Sequence, residues 1–225
     1  MKERPFKLLS GALLGLLCAY LLVFLGARFW LKRTYPNVDL DVIPTRLPGI
    51  YQPSTSIHNW PTRQFGVLGF TVPPYWTKLH ESNASVVWGE AEAKLLLFHP
   101  GRFDVKRYKR CLYSSRWNLL GMLDRGLLLP HFDSNRPRIF EQRVGDWSVF
   151  FYPSTYQWWC DLLDVENGHY VALIFFSQKG ISDEQVDLLK DIIMSVSIKR
   201  LTGSPQQSFN VREMTNEVRS IFSNL

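Results

Sequence analysis

The sequence predicts an α+β domain, with a mainly antiparallel sheet covered by helices on both faces, preceded by one N-terminal transmembrane helix. Three observations predict this. Residues 8–27 are an uninterrupted uncharged run. Short strand-like segments recur from residue 66 to 176, separated by turn residues such as Gly89, Gly145-Asp146 and Asn167-Gly168. The later of these segments are apolar on both faces, so neither sheet face can be left to water. A chain of 225 residues with 46% apolar and 20% charged residues has ordinary globular composition, which excludes wholesale disorder.

Leu8 to Ala27 holds 20 residues with no charge. At about 1.5 Å per residue a helix of that length reaches roughly 30 Å, the thickness of a bilayer core. Phe29 and Trp30 suit the interface, and Arg28, Lys32 and Arg33 can reach headgroups. A cleaved signal peptide would have a shorter apolar stretch and small residues at its cleavage site. Leu25-Gly26-Ala27 has Leu where the first small residue belongs, so an uncleaved signal-anchor is the reading preferred. Three basic residues flank each side. The short stub, residues 1–7, with its own amino charge favours a cytoplasmic N-terminus and an extracytoplasmic domain at the plasma (inner) membrane. Gly11, Gly15 and Ala19 recur every four residues, a spacing that lets two membrane helices approach closely or that arises by chance.

Residues 28–64 read as a juxtamembrane segment and a tether. Five prolines, Pro36, Pro44, Pro48, Pro53 and Pro61, oppose helix and interior strand there. The domain is placed at residues 65–200. Its first strand is Gly66–Val72, ended by Pro73-Pro74, and Ala84–Trp88 and Lys94–His99 follow. Strands at 138–144, 147–152, 157–165 and 169–176 come next, with Asn167-Gly168 as a hairpin signal. Ser115 can cap a helix over 116–128, and Ser182 one over 183–194 whose first turn is acidic. A last strand spans 195–200, and residues 201–225 end in an amphipathic stretch through Met214, Val218, Ile221 and Leu225.

Two segments, Phe70-Thr71-Val72-Pro73-Pro74-Tyr75-Trp76 and Ser182-Asp183-Glu184-Gln185 through Ile198, resemble the PsbP/DcrB-like group, which is related in fold to a Ran-binding nucleotide-release factor. Phe70–Trp76 is similar to that group's opening strand running into a Pro-plus-Trp turn. Ser182–Ile198 is similar to its capped helix and closing strand. The resemblance covers about residues 65–200 and implies an α/β/α sandwich with an antiparallel sheet. It carries over no catalytic or binding residue. Nothing here matches the calcium or manganese chemistry of some photosynthetic members.

The net charge of +6 is unevenly placed. Residues 1–33 carry six basic groups and one acid, whereas residues 65–200 carry 16 basic and 15 acidic groups. The charge therefore marks the flanks of the apolar run, and a nearly neutral domain gives no footprint for nucleic acid. His58, His80, His99, His131 and His169 form no close pair, and no CxxC, GxSxG, P-loop or GxGxxG is present. The sequence thus assigns no catalytic, metal or cofactor residue. Glu90/Glu92 and Asp161/Asp164 read as solvated acids. Cys111 and Cys160 read as two separate buried thiols, or as a disulfide if the domain lies outside the cytoplasm. If 105–112 is helical, Lys106, Arg107, Lys109 and Arg110 oppose the apolar side of Val105, Tyr108, Cys111 and Leu112. That basic surface is a solvated face, or a contact for lipid phosphates or an acidic protein.

The functional expectation is a single-pass membrane protein whose non-enzymatic domain serves interaction or assembly, with the bilayer and a membrane protein or a second copy as partners. The alternatives are a membrane-tethered enzyme with a dispersed site and an anionic-lipid surface binder.

Overall fold

The computed structural model describes residues 4–34, 43–52, 59–98, 104–113, 119 and 138–198. The chain divides into two units, Met1–Asp41 with Ser114–Ser134, and Val42–Tyr113 with Asn135–Leu225.

In the first unit, helix α1 runs over Arg4–Thr34. Its Ser10–Thr34 portion contains an 18-residue stretch with a mean hydropathy of 2.1, 6% of it buried, so it is apolar enough to cross a membrane. Leu, Val and Phe side chains stand exposed along it, whereas Phe24 and Leu31, seven residues apart on one face, are buried.

The second unit is α+β. Its strands are β1 (Thr45–Tyr51), β2 (Thr62–Phe65), β3 (Leu68–Thr71), β4 (Thr77–Glu81), β5 (Ser85–Gly89), β6 (Ala93–Phe98), β7 (Phe140–Val144), β8 (Trp147–Pro153), β9 (Gln157–Asp164), β10 (His169–Ser177) and β11 (Ser197–Ile198). Eight of them form a large sheet in the order β1-β7-β8-β9-β10-β6-β5-β4. Every neighbouring pair in it is antiparallel except β1 with β7. A second, three-stranded sheet has the order β11-β3-β2. Helix α2 covers Val105–Leu112 and helix α3 covers Asp183–Ser195.

Period-two alternation divides the large sheet's side chains between its faces. Val149, Phe151, Cys160, Leu162, Val171, Leu173 and Phe175 join the main core with Phe70 and Trp76 from around the small sheet and Leu189, Ile192 and Ile193 of α3. The intervening residues, including Phe150, Tyr152, Asp161, Tyr170 and Ile174, are also buried, on the face where Tyr108 of α2 reaches Asp161. Both faces are filled, as the strand sequences require. Ser182 caps α3 in a reciprocal box: its hydroxyl accepts from the Gln185 N–H, and the Gln185 side chain accepts from the Ser182 N–H. Ser195 then ties α3 to β3 by accepting from the Thr71 N–H at 2.8 Å.

Several expectations change. The folded unit takes in strands at 45–51 and 62–65, within the stretch read as tether. β1 accommodates Pro48 because it is an edge strand whose register shifts between Arg46 and Ile50, and an edge spares a proline the missing ladder bond. Its far end is held by Tyr51, whose hydroxyl donates to Asp191 of α3 at 2.8 Å. The expected strand 66–72 is present as β3, one arm of a hairpin with β2. Gly66 takes φ +56° and turns the chain between β2 and β3, so this opening belongs to the small sheet. At 165–168 only Gly168 has positive φ. That turn is held by Asp164, whose carboxylate accepts from the Glu166 and Asn167 N–H groups, in place of a two-residue Asn-Gly turn. The expected helix over 116–128, apart from residue 119, and the C-terminal stretch 201–225 lie outside the described residues.

Gly89 faces the tightest approach in the sheet. A Cβ there would lie 2.4 Å from the Ala93 carbonyl oxygen and 2.8 Å from Lys94 Cα. Gly89→Ala is expected to lower stability by about 1–3 kcal/mol, because backbone must shift to admit the methyl. Thermal and chemical unfolding in detergent check this, and an unchanged midpoint would refute the close approach.

Candidate functional site

Helix α2 sets the site. Asp104 caps it by accepting from the Arg107 N–H at 2.9 Å. The helix lays Val105, Tyr108, Cys111 and Leu112 into the domain. Beneath it sits Asp161, 1% exposed, in a strand otherwise built for burial. Tyr108 donates to its Oδ2 at 2.5 Å, and Tyr170 and the Trp159 indole donate to its Oδ1 at 2.7 and 2.8 Å. Burial pushes the Asp161 carboxyl above its usual range, and these donors oppose that shift. Burial first, and then the neighbouring Asp161 charge, push the Tyr108 and Tyr170 hydroxyls well up, so both stay protonated as donors. The sequence pattern suggested a solvated Asp161. Its position between Trp159 and Leu163 on one face of the strand is the signal that marks it as buried.

A second carboxylate, Glu141 of β7, anchors the open side of the same face. Lys109 of α2 lies 3.0 Å from its Oε1, and the Ser148 hydroxyl donates to that oxygen at 2.7 Å. Arg46 of β1 approaches Oε2 at 2.9 Å, and the Tyr113 hydroxyl donates to Oε2 as well. Burial alone would raise the Glu141 pKa. Hydrogen bonds from Tyr113, Ser148 and Lys109, with the Lys109 charge, overcome it and hold the pKa at about 2. Glu141 is therefore ionised at neutral pH and joins three elements: β1, α2 and the β7–β8 hairpin. The Arg46 guanidinium also lies 5.2 Å from the centre of the Tyr113 ring.

Beside Glu141 lies a groove of about 650 Å³. Arg46, Leu47 and Gly49 of β1 form one wall, Lys109, Glu141, Arg143 and Ser148 contribute to the floor and rim, and the turns bearing Asp146 and Glu166 close the end. Among the described residues no three His, Cys, Asp or Glu side chains converge as a metal ion would need.

The sequence-predicted residues divide. Lys106, Arg107 and Arg110 are exposed on the outer side of α2, but Lys109 is half-buried and turned to Glu141. Cys111 and Cys160 are both free and buried. Cys160 faces the α3 core, whereas Cys111 lies on α2 across the sheet, so the sheet separates the thiols. Gly11, Gly15 and Ala19 lie exposed on α1, and a Cβ at either glycine meets open space. His80 is exposed and His169 half-buried, while His58, His99 and His131 lie outside the described residues. Sequence reasoning missed Arg46, Glu141 and Tyr113, because strands 95 residues apart bring them together.

No known family matches the chain, and no curated protein is similar to it. A crystal structure from Bacteroides thetaiotaomicron VPI-5482 is similar over 67% of this chain at 10% identity, with a TM-score of 0.36. The chain spans 54% of that protein's length, and a likeness of this degree settles neither fold nor function.

The two carboxylates have opposite pH signatures. Glu141, held at about 2 against an ordinary 4.5, gives stability that is full above about pH 4.5 and lost as pH falls toward 2. Asp161, pushed up, gives its full contribution below its ordinary range and loses it as pH rises through its raised value. Glu141→Gln is expected to cost about 1–2 kcal/mol at pH 7 and to flatten the acid limb. Chemical unfolding at pH 7, 4 and 3 tests this, and parallel curves for variant and parent would refute it. With Cys18 replaced by Ser, maleimide should label neither Cys111 nor Cys160 in the native protein, and both after denaturation without reductant. A requirement for reductant would show a disulfide.

Proposed function

We propose that the chain is a single-pass membrane-anchored protein whose α+β domain serves as a non-enzymatic interaction or assembly module, displayed on the extracytoplasmic side of the plasma (inner) membrane. The observation that carries this reading is Ser10–Thr34, a helix of 25 residues holding an 18-residue stretch with mean hydropathy 2.1, 6% of it buried. So large an exposed apolar surface is costly in water and favourable in lipid. Retention of the helix as a signal-anchor, and kinship of the domain with the PsbP/DcrB-like sandwiches, belong to the same proposal. The capping box on α3 and the burial of Trp76 beyond the Pro73-Pro74 turn support that kinship.

The domain side of the proposal rests on the groove beside Glu141, where mixed charge is presented on rigid strands. A second reading, an anionic-lipid surface binder, is favoured by the exposure of Lys106, Arg107 and Arg110 on one side of α2.

Alkaline carbonate extraction is expected to leave the full chain in the membrane pellet, with deletion of residues 1–33 releasing it. Intact-mass measurement of the mature protein should show residues 1–27 retained. Release of the full chain by carbonate, or loss of those residues, would sink the anchor. Neutralising Lys106, Arg107 and Arg110 together should leave binding to anionic vesicles unchanged if the interaction-module reading holds, and abolish it if the lipid-binder reading does.

A further inference from the structure

The groove beside Glu141 has a closed floor. Lys109, Ser148, Tyr113 and Arg46 satisfy the Glu141 carboxylate. Asp164 is engaged by its own turn through both oxygens. These groups hold the scaffold and leave little for a ligand.

The rim differs. Arg46 engages Glu141 and Tyr113 through Nε, and Arg143 engages the Gly145 carbonyl through Nε at 3.3 Å. Among the described residues, the Nη groups of both arginines make no hydrogen bond. Arg46 has a side chain 72% exposed. Arg46 is in register with Glu141, and Arg143 lies two residues further along β7 on the same face. The two residues are thus offset by one strand across the sheet and two residues along it, on one face. Guanidinium forks with both Nη groups available suit a carboxylate. Asp146, in the β7–β8 turn, and Glu166, in the β9–β10 turn, lie at the same end of the sheet. Their carboxylates make no ion pair or hydrogen bond among the described residues. Gly49, at φ +83° with nothing within 4 Å of an added Cβ, lines the β1 wall without a side chain.

We propose that this groove binds an extended peptide segment of a partner protein, one that pairs an acidic side chain with Arg46 and Arg143 and a basic side chain with Asp146 and Glu166. The proposal deepens the interaction-module reading and rests on it. Small-molecule sites are mostly apolar and enclose their ligand. This groove is instead polar and open, and both signs of charge meet at its rim. A ligand of a single sign gains from one pair of residues and is repelled by the other, so the site selects for a mixed pair. An extended chain keeps its backbone wet and presents side chains at the spacing the rim offers.

The test uses the full chain in lipid nanodiscs and fluorescein-labelled, end-blocked hexapeptides. Each peptide carries one Glu and one Lys, one to four serines apart, in both orders. Controls carry two Glu, two Lys, or neither. The expected result is that at least one mixed peptide binds tenfold or more tighter than every control, and that 0.5 M salt weakens it. Arg143→Glu and Glu166→Lys should each lose tenfold or more of that binding while the melting temperature stays unchanged, since both side chains lie on exposed rim positions. Equal binding of mixed and single-sign peptides would overturn the proposal, as would mixed-peptide binding indifferent to both substitutions. Binding of free Glu-Lys dipeptide as tight as the best hexapeptide would replace the peptide with a small zwitterion and overturn it too. If no peptide binds while carbonate-resistant anchoring and a reproducible cross-linked partner persist, the groove assignment falls and the interaction-module reading stands.

Discussion

Strands β8, β9 and β10 bury side chains on both faces, and the demand that neither face meet water is the constraint on which the rest of the domain depends. Val149, Phe151, Leu162 and Leu173 need α3 and the small sheet on one side. Phe150, Tyr152 and Tyr170 are buried on the other, the side that α2 approaches. Covering elements must be held at fixed places to do this, and polar bonds hold them. Ser195 joins α3 to β3, Tyr51 joins β1 to α3, and Trp147 donates to the Val196 carbonyl where the chain leaves α3. Hydrophobic burial supplies the drive and does not specify direction. These bonds fix the position at which each cover lands.

The face beneath α2 shows how the same sheet serves two electrostatic purposes. Asp161 is sealed and neighboured by hydroxyl and indole donors. Glu141 sits at the margin and meets Lys109 and Arg46. Two tyrosines and the Trp159 indole satisfy the sealed carboxylate against its burial. Charge and hydrogen bonds together over-stabilise the marginal one. Asp161 pins α2 on the sheet. Glu141 fixes the edge strand and the lip of an open groove, so the groove's geometry is inherited from packing rather than from mobile loops.

The apolar helix, the strand boundaries from β5 to β10 and the cap of α3 were legible because each depends on residues near in sequence. The 3.6 and 2.0 periodicities and the Ser182–Gln185 box are local signals. The amphipathic form of α2 was legible for the same reason. The edge strand β1 was not, because Pro48 locally argues against a strand and only a parallel partner about 95 residues on accommodates it. The separate small sheet was also hidden, since a strand pattern at Gly66–Val72 does not say which sheet it joins. Lys109 looked equivalent to Lys106, Arg107 and Arg110 on a helical wheel. One carboxylate from β7 distinguishes it.

By itself, then, the sequence determined an apolar N-terminal helix, an α+β domain with a sheet apolar on both faces, and a charge excess confined to the flanks of that helix. Those are properties of composition and short-range period, which no tertiary contact can reverse. Only the tertiary structure decided that Asp161 is buried and Asp164 is a turn residue, that Cys111 and Cys160 are held apart by the sheet, and that Arg46, Lys109, Glu141 and Ser148 form one cluster. Each of those outcomes depends on which face of which strand lies beneath which helix, and that pairing is set by long-range register, where one residue of slip would exchange the α2 face for the α3 face.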